Sequence, residues 1–156
     1  MTSPSFAPGI VPPAPLQTRD FVLAPLGPEH NDRDHAAWMT SIDHIRSTPG
    51  FAPGSWGDGD WPVPMTLEEN LRDLEMHAEE FRTGAAFAYT VLDPRSGDVI
   101  GCVYIHPDPT GAAGAMVRCW VRAGSADLDE PLSGALRDWI DGSWPLATAR
   151  FPGRDG

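Results

Sequence analysis

Residues 86–140 limit most narrowly what this chain can fold into, because they read as three consecutive strands running into an amphipathic helix. Phe87–Leu92, 99–106 and 115–122 are rich in β-branched and aromatic residues. Turn formers separate them, Asp93-Pro94-Arg95-Ser96-Gly97-Asp98 and Pro107-Asp108-Pro109-Thr110-Gly111. Two antiparallel hairpins follow. Closing both loops symmetrically sets Phe87, Tyr89 and Val91 opposite Tyr104, Cys102 and Ile100, and these opposite Val117, Cys119 and Val121. In that register Cys102 and Cys119 are cross-strand neighbours and Gly101 falls beneath Trp120. Such a sheet needs cover on both faces. Leu128, Leu132, Ala135, Leu136, Trp139 and Ile140 form one helical stripe that supplies some of it. Asp127 with Glu130 three places on predicts a reciprocal cap at that helix's start.

Upstream, residues 1–17 carry five prolines and no hydrophobic period, which predicts a flexible arm ahead of a single domain over 18–156. Phe21-Val22-Leu23 reads as a short strand. Trp38, Ile42 and Ile45 predict one helix, started near Pro28 and Asn31-Asp32 and stopped before Pro49-Gly50. Thr66 and Glu69 form a capping box for a second helix, whose Leu67, Leu71, Leu74, Ala78 and Phe81 share a face. Residues 146–151 read as a last strand. The order is β-α-α-β-β-β-α-β, an α/β (α+β) architecture with a mostly antiparallel sheet flanked by helices.

Between the first two helices lies the longest irregular stretch, residues 51–65, which sets Phe51, Trp56 and Trp61 beside Asp58 and Asp60. Aromatic faces next to carboxylates suit an ammonium group. The charge balance agrees, since 22 acidic against 11 basic residues leave a net charge of −11. Such a field repels nucleic acid and anionic membranes and concentrates cations, so a small cationic amine is the expected partner. All 11 basic residues are arginine, which rules out lysine Schiff bases and phosphate-loop lysines. No apolar run approaches the roughly 18 residues of a membrane span, and no basic leader precedes Arg19, so a cytoplasmic location is expected. Two cysteines build no disulfide framework, and neither HExxH nor CxxC spacing points to a metal.

The element order, with Phe21-Val22-Leu23-Ala24-Pro25-Leu26, Val99-Ile100-Gly101 and Cys119-Trp120-Val121-Arg122, resembles the GCN5-related N-acetyltransferases over about residues 21–151. The resemblance implies acetyl-CoA as cosubstrate. Its pantetheine would lie between splayed fourth and fifth strands, against the backbone of Arg118, Cys119, Trp120, Val121 and Arg122. An amine acceptor would approach over the loop between the first two helices, near Trp56, Asp58, Asp60 and Trp61. Amine acylation needs a proton acceptor and a donor to the leaving thiolate; His106 and Asp108 stand at a strand end for these roles. The chain departs from the family at the phosphate loop. There it has Ala126, Asp127, Asp129 and Pro131, with Glu130 a third carboxylate, where glycine amides would face the pyrophosphate. A carboxylate facing a phosphate is repulsive by about 1 kcal/mol or more, so weak or absent acetyl-CoA binding in the usual pose is expected. Two readings stand: an N-acetyltransferase of a small cationic amine, or a non-catalytic relative whose fold binds another ligand or a protein partner. Set against the resemblance, the family's terminal helix and hairpin are expected to be absent after residue 151. A homodimer, or the proline-rich arm, is expected to cover the strand edge this leaves.

Overall fold

The computed structural model describes residues 5–52, 61–109, 114–146 and 148–154. Five strands form one sheet in the order β1 (Val22–Pro25), β2 (Phe87–Leu92), β3 (Val99–Pro107), β4 (Ala115–Val121) and β5 (Ala149–Arg150). Neighbours are antiparallel except β4 and β5, which run parallel. Helices α1 (Asn31–Met39), α2 (Ile42–Arg46) and α3 (Leu67–Thr83) connect β1 to β2, and α4 (Asp129–Ser143) connects β4 to β5. None of these helices is long and apolar enough to cross a membrane.

Both sheet faces are covered, as their composition demands. On one side α4 lays Leu132, Leu136, Trp139 and Ile140 over Tyr89, Val103, Val117, Cys119 and Val121. On the other, Trp38 of α1, Ile45 of α2 and Leu74 of α3 pack with Ala88, Cys102, Tyr104 and Trp120. The stretch expected to be a flexible arm belongs to the first core. Phe6 stacks on Phe87 with ring centroids 5.6 Å apart, Ile10 and Leu16 pack beside it, and Trp139 Nε1 donates to the Ala14 carbonyl at 3.3 Å. Apolar side chains spaced among prolines can dock without a helical or strand period, so periodicity does not reveal them. The arm packs on the α4 side of the sheet rather than on β5.

The strand register differs from the symmetric one by one residue. Leu92 pairs with Val99 but Val91 pairs with Gly101, so Ile100 is an extra residue in β3. One inserted residue turns every later side chain of the strand to the other face. Thr90 therefore faces Cys102, Cys102 faces Trp120, and Val103 faces Cys119. The two cysteines lie on opposite sides of the sheet, each buried in its own core. Burial raises both thiols, Cys119 to about 12 and Cys102 well above its ordinary value, which leaves them unreactive at neutral pH.

Two helix boundaries and one strand also depart from expectation. The first helix breaks at Thr40-Ser41: Thr40 Oγ1 donates back to the Ala36 carbonyl at 2.8 Å, and Ser41 Oγ leaves the helix to accept from the Ala123 amide at 2.9 Å. The fourth helix starts at Asp129, after a 3-10 turn over Ala123–Leu128, and no side chain caps it. The Asp127–Glu130 box is therefore absent, because the 3-10 turn shifts the helix start past Asp127. The last strand shrinks to two residues. The Thr66–Glu69 box, by contrast, is formed: Thr66 Oγ1 accepts from the Glu69 amide at 3.1 Å, and Glu69 Oε1 accepts from the Thr66 amide at 3.0 Å. Thr66→Ala is expected to lower stability by about 1 kcal/mol. An unshifted denaturation midpoint would remove this cap from the account.

Candidate acceptor pocket and the β4 edge

A cavity of about 580 Å3 lies between the sheet, α1 and α3, a size suited to a small molecule. Helix α3 contributes a polar stripe, Asn70, Asp73, His77 and Glu80, at offsets of 0, 3, 7 and 10. This stripe runs beside the apolar one that fixes the helix to the sheet, so the same amphipathic geometry that seats α3 also aims these side chains into the cavity. Asp34 and Trp38 enter from α1, Tyr104 and His106 from β3, Arg118 from β4, and Trp61 closes one side.

Asp34 has the least ordinary environment. It is only 4% exposed, and Asn70 Nδ2 donates to its Oδ2 at 3.1 Å. The same amide also donates to Asn31 Oδ1, while Asn70 Oδ1 accepts from Trp38 Nε1 at 3.1 Å, so Asn70 is held from three directions. Burial pushes the Asp34 carboxyl up to about 6, against the pull of Asn70 and of the nearby histidines. Burial also raises Asp73. Glu80 is held below its usual range, chiefly by its hydrogen bond with His77. Burial lowers His106, which keeps its imidazole neutral at pH 7 and able to accept a proton. Trp61 sits 5.4 Å from Trp38 and 6.1 Å from Trp120 between ring centroids, and Tyr104 is 5.7 Å from the His77 ring. The cavity thus combines three carboxylates, two imidazoles and aromatic walls. Arg118 is the one arginine along it, and its Nε donates to the Gly50 carbonyl at 3.1 Å.

Of the residues singled out in the sequence, Trp61, His106 and Arg118 meet in this cavity. Trp56, Asp58 and Asp60 lie outside the described residues. Asp108 is buried elsewhere, where its two oxygens take Arg150 Nε at 2.7 Å and Nη2 at 2.9 Å and so tie the β3–β4 loop to β5. The pocket carboxylates Asp34, Asp73 and Glu80 were not singled out. The readable signal for two of them was the polar half of the α3 period; Asp34 gave none, because its burial depends on how α1 meets α3. Among the described residues, no three side chains of the ligating types stand together to hold a metal ion.

The strand-four residues divide between the faces. Trp120 is wholly buried, its Nε1 donating to Tyr104 Oη at 3.1 Å; Cys119 and Val121 face α4; Arg122 Nε bonds Ser125 Oγ at 3.2 Å. Among the described residues, the edge of β4 that points away from β3 is paired with β5 at Ala115 and Met116. Beyond them the Cys119 carbonyl accepts from Arg154 Nη2 at 3.2 Å, and the same guanidinium holds both Asp129 oxygens at 2.8 Å. The turn that follows carries Asp127, Asp129, Glu130 and Pro131. An occupied carbonyl edge and an acidic turn do not fit the pantetheine and pyrophosphate of an acyl-CoA.

The fold is that of the GCN5-related N-acetyltransferases, a mixed sheet with helices on both sides and a parallel, briefly paired fourth and fifth strand. Solved structures place the likeness. A candidate ribosomal-protein-serine acetyltransferase from Vibrio cholerae matches with a TM-score of 0.63 at 11% identity, over 84% of this chain and 70% of that one. The ribosomal-protein-S5-alanine acetyltransferase from Vibrio fischeri matches at 0.60 and 14% identity, over 81% and 67%. The ribosomal L7/L12 α-N-protein acetyltransferase RimL, in complex with coenzyme A, matches at 0.59 and 15% identity, over 79% of this chain and 64% of its own. This chain thus spans about two thirds of their length. No protein-family model and no curated protein matches the sequence.

Proposed function

We propose that this acetyltransferase-fold protein binds a small cationic amine in the α1–α3–β3 cavity. The observation that carries the reading is a buried carboxylate, Asp34, grouped with Asp73 and Glu80 in a cavity also lined by Trp38 and Trp61. An ammonium group there gains charge-assisted hydrogen bonds and cation–π contact beside a buried carboxylate. The net charge of −11 raises the local concentration of amines around the molecule.

A second reading is acetyl transfer onto that amine. It is favoured by the solved neighbours, one holding coenzyme A and another, the microcin C7 self-immunity acetyltransferase MccE, holding acetyl-CoA and AMP. Within this chain it is favoured by His106, whose neutral imidazole lines the cavity and can take an ammonium proton at a ring nitrogen. A thermal-shift panel of agmatine, cadaverine and spermidine at pH 7.5 tests binding, and mass spectrometry of any stabilising amine incubated with acetyl-CoA tests transfer. Stabilisation without acetylated product supports the first reading alone. Product lost in His106→Gln supports both readings and, because acetyl-CoA must then reach the chain, contradicts a β4 edge closed to acyl-CoA. No shift with any amine contradicts both.

A further inference from the structure

The residues after β5 form a built piece of structure, not a loose end. Phe151 is 2% exposed, and the Arg137 guanidinium lies 4.2 Å from its ring centroid. Pro152 and Gly153 then pass against Pro49 and Gly50 so closely that there is little space for side chains. A Cβ on Gly50 would stand 3.2 Å from the Pro152 carbonyl oxygen, and one on Gly153 would stand 3.0 Å from both the Gly50 nitrogen and the Pro49 Cβ. Both glycines have left-handed backbones, with φ of 94° and 77°, a conformation other residues adopt at a cost. This path delivers Arg154 to the β4 edge, where its side chain is 9% exposed and bonded to the Cys119 carbonyl and to both oxygens of Asp129.

We propose that 151–154 is a strap that fills the opening where β4 and β5 part, so that this chain in its resting form is closed to coenzyme A along β4. Arg154 supplies the hydrogen bond that the carbonyl edge would otherwise offer a ligand, and it neutralises Asp129 in place. A thioester's pantetheine amide must displace a bidentate, shielded ion pair to reach Cys119, an exchange of a charged donor for a neutral one. The strap's own anchors, Arg154 and Asp129, do not line the amine cavity; it meets that cavity's wall at Gly50, whose carbonyl accepts from Arg118 Nε.

The test is calorimetric titration of free coenzyme A into the wild-type protein and into the Arg154→Ala/Asp129→Ala double variant, which removes the strap's anchor and its counter-ion together. The wild type is expected to give no saturable binding, and the double variant to bind at least tenfold more tightly. Gly153→Ala, which pushes the strap off Pro49–Gly50 without touching any charge, should move in the same direction, and it serves if the double variant fails to fold. Near-UV circular dichroism checks folding of each. Saturable binding by the wild type as tight as that of the folded variants overturns the strap, as does an unchanged affinity in folded variants. Amine binding measured on the Arg154→Ala/Asp129→Ala sample should stay at the wild-type level, because neither residue lines the amine cavity. Loss of the strap result therefore leaves the amine reading standing, and the reverse holds as well.

Discussion

Asp34→Asn is expected to make the protein more stable at pH 7.5 and worse at holding an amine. The folded state favours the neutral carboxyl: the group ionises near 3.8 when exposed and near 6 when folded. As pH rises through that window, the unfolded chain gives up its proton first, and the folded state loses relative stability. Above pH 6 the loss is complete, up to about 3 kcal/mol from ~1.4 kcal/mol per unit of pKa. Asparagine keeps the shape, and its oxygen can still accept from Asn70 Nδ2, but it has no charge to desolvate. Allowing for its less well matched amide donors, about 2 kcal/mol should be regained, raising Tm by roughly 4 to 8 °C in a domain of this size. The gain should vanish below about pH 4. Amine affinity at pH 7.5 should fall more than tenfold, since a charge-assisted hydrogen bond contributes about 1.5 to 3 kcal/mol. Opposite signs for stability and binding mark a carboxylate retained for a ligand; a variant that loses stability marks a structural one.

The largest destabilisation is expected at Gly101. A Cβ there would lie 2.0 Å from the Trp120 carbonyl oxygen and 3.0 Å from the Val121 Cα, both backbone atoms of the paired strand. Backbone cannot rotate aside, so β3 and β4 must part in the middle of the sheet. Gly101→Ala should cost about 3 kcal/mol or more and lower Tm by roughly 6 to 12 °C. Gly134, exposed in α4 with nothing within 4 Å of its would-be Cβ, is the control. Gly134→Ala should stabilise by up to about 1 kcal/mol, because alanine is the better helix former. If Gly101→Ala behaved like Gly134→Ala, the register that sets Gly101 against Val121 would be wrong.

Gly101 also shows where reading the sequence stops. The three strands, α3 and its Thr66–Glu69 cap were legible because each signal is local: a period of two, a period of 3.6, and a side chain reaching three residues on. The register was not, because a single extra residue at Ile100 leaves composition and alternation intact while turning Cys102 and Tyr104 to the helix α1 side. That flip is what places Tyr104 and His106 in the amine cavity. The break at Thr40-Ser41 was hidden for a similar reason. Ser41 leaves the helix to meet Ala123, which is 82 residues away along the chain. Asp34 looked like any charge in a first helical turn until α1 was laid on α3. Arg154 and Asp129 became partners only through the path of the strap.

The amine pocket is tested most directly by titrating spermidine calorimetrically across pH 5 to 8 at fixed ionic strength, in wild type and Asp34→Asn. Saturable binding is expected at pH 7.5, weakening as pH falls through about 6, where Asp34 takes up its proton, with an Asp34→Asn profile that is weak and flat in pH. Binding of equal strength in both proteins, with no change through pH 6, would contradict it.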